Sequence, residues 1–319
     1  MGTVLIIAVV IVVVAVVALA GGGGDGGGGD DDQADDGAVG AVVATIPVGD
    51  TPRGIVVDDL GIVWVANRGD ATVSRVDPAT DEVTSTVDVG EGPRDVAVGL
   101  GSVWVTSLEA AEVSRLSASD GTVLDTVAFD GGPQSVTTAD GLVWVTDRDD
   151  ATVEGLDPDT LETVEEIAVG ADPAAIVADG DATLWVTNRE DGTLSKIDLD
   201  ERAVVATVDV GDLPGEATVD GDDVWLAVEG TRSVLRVDAA SAEVVETIEV
   251  GERVGAVAID DQGRPWVDGD DDLLLLDPDA GSVVGSVEVE GQPREVAAGD
   301  GSIWSVPHDA AVLTRVDPS

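Results

Sequence analysis

The stretch ATVSRVDPATDEVTSTVDVGEGPRDVAV, residues 71–98, decides the fold. Apolar and polar residues alternate through 72–77 and again through 83–89, the period of half-buried β-strands. Between the two runs stands Asp77-Pro78-Ala79-Thr80. Asp at the first position of a turn accepts a backbone hydrogen bond and Pro at the second pre-sets φ, so a type I turn reverses the chain there. Upstream lie two more alternating runs, about 53–58 and 62–67, with turn chemistry at 58–61 and 68–71. The unit is four short antiparallel strands in roughly 40 residues.

That unit recurs. Trp64, Trp104, Trp144, Trp185, Trp225, Trp266 and Trp304 stand 40, 40, 41, 40, 41 and 38 residues apart, and the chain has no other Trp. Seven four-stranded units of this length are the pattern of a seven-bladed β-propeller, an all-β ring of antiparallel blades. Val- and Thr-rich runs of period 2 exclude a helical solenoid, and the unbroken period over 41–319 excludes a two-domain split. The seventh unit stops short of a fourth strand, whereas VVATIPV, residues 42–48, has the fourth-strand pattern and precedes the first unit. The expectation is that 42–48 completes the last blade and leaves no open edge. Each Trp, at one equivalent strand position, is assigned to packing between blades. The Asp-Pro turns at Asp77, Asp157 and Asp277 are assigned to structure as well.

Residues 4–20 are an uninterrupted apolar run, about 26 Å long as a single helix. Two readings of residues 1–20 stand: a signal peptide, since Ala18-Leu19-Ala20 before Gly21 is a small-x-small pattern, or an uncleaved membrane anchor, since no Lys or Arg precedes the run. Residues 21–40 are a Gly- and Asp-rich linker, expected to be disordered, and 41–319 form the propeller. The acidic flank at Asp25, Asp30, Asp31, Asp32, Asp35 and Asp36 lacks the cations that hold a flank in the cytoplasm, which places the bulk outside the cell. There is no Cys, so disulfides, thiolate metal sites, thiol catalysis and lipid attachment are excluded. A net charge of −50, from 65 Asp and Glu against 15 Lys and Arg, argues against nucleic acid as a partner. It fits a halophilic protein kept soluble in high salt, although GC-rich coding also depletes lysine.

WVTN 185–188, WVAN 64–67, WVTS 104–107 and WVTD 144–147 resemble the signature tetrapeptide of the YVTN family of β-propeller repeats, and residues 71–98 resemble that family's whole unit. The resemblance implies an extracytoplasmic propeller that binds partners. The repeats are also similar to streptogramin lyases, which implies a metal with His and Glu on one face. His308, the one histidine, stands in SVPHDA 305–310 without a matching His or Glu arrangement. It is a weak catalytic candidate, and a divalent metal cofactor is expected only if the lyase reading holds.

In a propeller, the loops from fourth to first strand and from second to third share one face. Arg53, Arg68, Arg94, Arg148, Arg189, Arg232, Arg253 and Arg294 fall in or beside these loops; Arg202 and Arg264 fall in the other class; Arg75, Arg115, Lys196, Arg236 and Arg315 sit on third strands. Pro52-Arg53, Pro93-Arg94 and Pro293-Arg294 are equivalent pairs on consecutive blades, and Gln134 holds the same place in the third unit. Guanidinium groups there could grip a carboxylate or phosphate bidentately. The competing reading is that each Arg pairs with a neighbour such as Asp95 or Glu295, to little effect. The acidic loops 220–223 and 268–272 offer carboxylates to Ca²⁺ without a recognised spacing and read as solvated. The sequence therefore points to a binding or scaffold module whose partner is a protein, a polymer or a small anionic ligand. A lyase-like enzyme and a structural cell-envelope protein are the alternatives.

Overall fold

A computed structural model describes residues 39–318. The apolar segment 4–20 and most of the linker, through residue 38, lie outside the described residues, and so does the helix expected of that segment. Within the described residues the chain is 28 β-strands, numbered here in chain order, and no helix. The first blade is β2 (Pro52–Val57), β3 (Val63–Asn67), β4 (Thr72–Asp77) and β5 (Glu82–Asp88), within a residue or so of the runs read from sequence. Seven four-stranded antiparallel sheets follow one another. The last contains β26 (Pro293–Gly299), β27 (Ser302–Pro307) and β28 (Val312–Asp317), and is completed by β1 (Ala41–Pro47). Ile46 faces Leu313 and Thr45 faces Thr314 in that closing ladder, so the ring shuts through the N-terminal strand as expected.

The physical basis of the ring lies between blades. Middle strands such as β3 and β27 are buried along their whole length, because both of their faces are covered by neighbouring blades, whereas the outer β5 alternates exposed and half-buried. Trp64 packs with Val96, Val103, Val105 and Leu116 of the second blade, and Trp304 packs with Val63, Val65 and Val76 of the first. Seven such clusters, one per interface, each centre on a Trp that is at most 4% exposed. Truncating a side chain of this size in a packed core costs about 3–5 kcal/mol.

The third-strand cations complete these interfaces. Arg75, Arg115, Lys196, Arg236 and Arg315 lie directly opposite Trp64, Trp104, Trp185, Trp225 and Trp304 in the ladders. Each stacks over its indole at 5.2–5.7 Å, where the ring's negative face attracts the cation. Opposite Trp144 the chain has Gly155, and Arg202 covers that ring instead. Opposite Trp266 stands Leu275, and the indole Nε1 donates to Asp260, which Arg264 holds in an ion pair. Three of the cations also donate to the next blade: Arg115 to the Pro158 carbonyl at 2.8 Å, Lys196 to that of Ala239 at 2.6 Å, and Arg315 to that of Pro78 at 2.7 Å.

The Asn of the repeated tetrapeptide is a loop clamp. Asn67 Oδ1 accepts from the Gly49 amide, and its Nδ2 donates to Thr72 and Ser74; Asn188 does the same with Gly170, Thr193 and Ser195. The Asp of the Asp-Pro turns accepts from the turn amides, as Asp157 does from Asp159 and Thr160, consistent with a structural role.

Candidate anion site at the channel mouth

Six blades begin their inner strand with Pro, which has no N–H to place in the ladder. The register slips immediately after it: between Pro52 and Ile55, Pro93 and Asp95, Pro133 and Val136, Pro173 and Ala175, Pro214 and Ala217, and Pro293 and Glu295. Each slip is a β-bulge, which leaves a residue out of the pairing and re-aims its side chain. The residue after Pro is the one released. Arg53, Arg94, Gln134, Ala174, Gly215 and Arg294, with Gly255 of the sixth blade, therefore ring one cavity on the propeller axis, of about 310 Å³. In that sixth blade Val254 replaces Pro and the inner strand is reduced to β22 (Val257–Ile259). Gly54 is required by close approach, since a Cβ there would stand 2.7 Å from the Asp95 Cα of the next inner strand, β6 (Pro93–Gly99).

Arg68, Arg148 and Arg189 reach the same cavity from loops between second and third strands, and Arg253 from the loop before β22. Seven of the chain's fifteen basic residues thus line a single cavity. All seven positions taken from sequence as binding candidates, Arg53, Arg68, Arg94, Gln134, Arg148, Arg189 and Arg294, are brought together there. His308 is in a loop of this face but does not line the cavity; its side chain is 49% exposed and its Nδ1 stands 4.0 Å from Asp309.

Pairing separates the arginines into classes. At the rim, Arg68 pairs with Glu109 at 2.7 Å, Arg148 with Asp172 at 3.1 Å and Arg189 with Glu229 at 2.6 Å, exposed bridges worth at most about 1 kcal/mol each. Arg253 is anchored, donating to Asp268 at 2.9 Å and to the carbonyls of Gly269 and Pro293. Asp268, read from sequence as part of a solvated acidic loop, is instead fully buried and also accepts from the amides of Gly255 and Ala256. Burial lifts its carboxyl to about 7 against those bonds and the pull of Arg253. Arg94 reaches across the channel: Nε donates to Gln134 at 3.2 Å, and its two terminal nitrogens approach Glu216 at 3.5 Å and Glu295 at 3.7 Å.

Arg53 and Arg294 have no carboxylate within 4.0 Å among the described residues. Arg53 Nε is buried and makes no hydrogen bond. Burial, together with repulsion from Arg94 and Arg294, brings the Arg53 guanidinium down to about 9. Burial likewise lowers Arg294, eased by Glu295 and reinforced by Arg94 and Arg253. Burial also acts against the charge of Arg94, but Glu216 and Glu295 outweigh it and hold that group above its ordinary value. The expectation that each Arg pairs with an acid such as Asp95 or Glu295 is thus met in the rim and, through Glu295, by Arg94, but not by Arg53 or Arg294. Asp95, one of the named partners, accepts instead from the Ser135 hydroxyl at 2.6 Å and the Val136 amide at 3.0 Å.

Glu216 is the residue that sequence reasoning missed. It sits one place below the Pro-x position, on β18 (Pro214–Asp220), as Asp95 and Glu295 do on their strands. The equivalence of the seven units was signal enough to find it. Glu216 and Glu295 also line a second chamber of about 370 Å³, walled by the inner strands further along the axis. The Arg94 cluster therefore occupies the waist between the two chambers.

Among the described residues no three His, Asp or Glu side chains are grouped to hold a metal, and seven of the sixteen residues that line the mouth are arginine.

No protein-family model matches the chain. A stretch of 47 residues, 15% of the chain, is 45% identical to part of the PE-PGRS family protein PE_PGRS18 of Mycobacterium tuberculosis and spans a tenth of that protein's length. Among solved structures, the propeller is similar to a catalytically inactive virginiamycin B lyase from Staphylococcus aureus crystallised with quinupristin: TM-score 0.73, 16% identity, 87% of this chain and 98% of the other. Kuenenia stuttgartiensis hydrazine synthase matches with TM-score 0.76 and 15% identity over 84% and 95% of the two chains. The β-propeller domain of Myceliophteria thermophila Cps50 (Swd1) matches with 0.75 and 12% over 87% and 99%. Identities this low establish the fold: the chain is an all-β, seven-bladed propeller of four-stranded blades.

Proposed function

We propose that the protein is a binding module that captures a small anion, of the carboxylate or phosphate class, at the mouth of its channel. The observation that carries this is the pair Arg53 and Arg294, on adjacent blades, desolvated and with no carboxylate within ion-pairing distance in a chain of 65 acids. A guanidinium held in this way is poised for a ligand carboxylate or phosphate, whose charge-assisted hydrogen bonds are shorter and stronger than neutral ones. Gln134 and the rim arginines would set the approach. The charged cluster at the waist favours a small ligand over a polymer threaded through the ring.

The apolar run 4–20 and the acidic linker behind it support a tethered or secreted molecule working outside the cell, as does the resemblance to YVTN repeats. The lyase alternative has the fold behind it, but the chain's one histidine, His308, does not line the cavity that Glu216, Glu229 and Glu295 share.

The test is thermal melting of the full-length chain in non-ionic detergent, with sulfate, phosphate, citrate and neutral sugars at fixed ionic strength. Anions are expected to stabilise the parent and not an Arg53→Gln, Arg294→Gln variant. Equal stabilisation of both would overturn the site.

A further inference from the structure

Glu216 and Glu295 approach one guanidinium, that of Arg94, from two different blades. Their side chains are 26% and 12% exposed, and that of Arg94 is 14% exposed. Around Glu295 stand Arg94 and Asp95 from β6, Arg53 from β2, Glu216 from β18 and Arg294 from its own strand. From the sixth blade Arg253 faces Arg294, and its charge is matched by Asp268. Three guanidinium groups at the axis thus balance three carboxylates, Asp95, Glu216 and Glu295. An anion settling on Arg53 and Arg294 removes that balance, because the two arginines which offset the carboxylates are then engaged by the ligand. Two desolvated carboxylates sharing one counter-ion cannot both stay ionised cheaply under that load, and one takes a proton.

We propose that the site binds its anion together with a proton from solvent, received by the Glu216–Glu295 carboxyl pair. This rests on the anion reading above and adds its regulation: the ligand is held more tightly as the surroundings become more acidic. Burial already sets both carboxyls above the ordinary range; for Glu295 repulsion from Glu216 adds to this, against the pull of Arg94 and Arg53. The Asp95 carboxylate is engaged elsewhere, accepting from the Ser135 hydroxyl and the Val136 amide.

The experiment is calorimetric titration of the full-length chain with sulfate, whose own charge is constant over the range, between about pH 5 and about pH 8. Buffers of different ionisation heat report the protons taken up. In the parent, affinity should fall with rising pH, approaching tenfold per pH unit where one proton is linked, and proton uptake should be close to one. Glu295→Gln should bind sulfate with little pH dependence and no uptake. Asp268→Asn, which removes the buried carboxyl lifted to about 7, should keep the parent's slope. Parent affinity that does not change with pH, or a slope that survives in both Glu295→Gln and Glu216→Gln, overturns the coupling and leaves the anion site standing. Absence of sulfate binding by the parent at every pH overturns the anion site itself, and the coupling with it.

Discussion

Replacing Arg53 with glutamine should make the ligand-free protein more stable while removing its response to anions. The folded state holds this guanidinium down to about 9, through burial and the nearby charges of Arg94 and Arg294. The sign follows from linkage: the folded value lies below the unfolded one, so at neutral pH the charged group is a pure cost, relieved only as pH rises above about 9. A drop of that size corresponds to an upper bound of about 5 kcal/mol at 1.36 kcal/mol per pH unit. Water in the cavity screens the group, and about 1–2 kcal/mol is a realistic gain once the effective dielectric of such sites is allowed for. The unsatisfied Nε points the same way. In a propeller of this size that is a rise of about 2–5 °C in melting temperature. With anion present the order reverses, since one charge-assisted hydrogen-bonding group contributes about 1.5–3 kcal/mol, or roughly 10–100-fold in affinity. The assay is parallel melting of parent and R53Q at one ionic strength, because screening by salt alone stabilises a chain of net charge −50. A variant that melts below the parent without ligand and shifts as far with sulfate would refute the reasoning: Arg53 would then be a structural residue.

Arg115→Met keeps an aliphatic stem on Trp104 but loses the cation and the bond to the Pro158 carbonyl; it should cost about 1–3 kcal/mol in denaturant unfolding, whereas Arg232→Met should be near neutral. Ile46→Asp buries an unpaired carboxylate in the closing strand, where Ile46 is 3% exposed, and should destabilise by about 3–5 kcal/mol; parent-like melting would show that β1 is not what holds the last blade. Asp268→Asn tests the buried carboxyl raised to about 7. A raised carboxyl contributes fully below its unfolded value and loses that contribution as pH rises through the folded one. The variant should therefore gain on the parent between about pH 4 and about pH 7 and run parallel to it at lower pH; a constant difference across that window would refute the assignment.

Much of this molecule is legible in the chain. A Trp every 38 to 41 residues, period-2 alternation and Asp-Pro turns are local signals, and local signals suffice for strands, blade count and the fourth strand at 42–48 that closes the ring. The face that carries the arginines was legible for the same reason, since strand direction alternates and loops of one class must share a side. Pro-Arg at equivalent positions marked the channel mouth, because a residue following Pro in each repeat falls at the same bulge. What the chain by itself left open was pairing. Whether Arg94 meets Asp95 beside it or Glu216 three blades away, whether Arg202 covers Trp144 where the third strand offers only Gly155, and whether Arg53 is neutralised at all depend on reach across a closed ring. Sequence periodicity places side chains around an axis one blade at a time; the distances across that axis, and the water excluded from it, exist only once seven blades have closed.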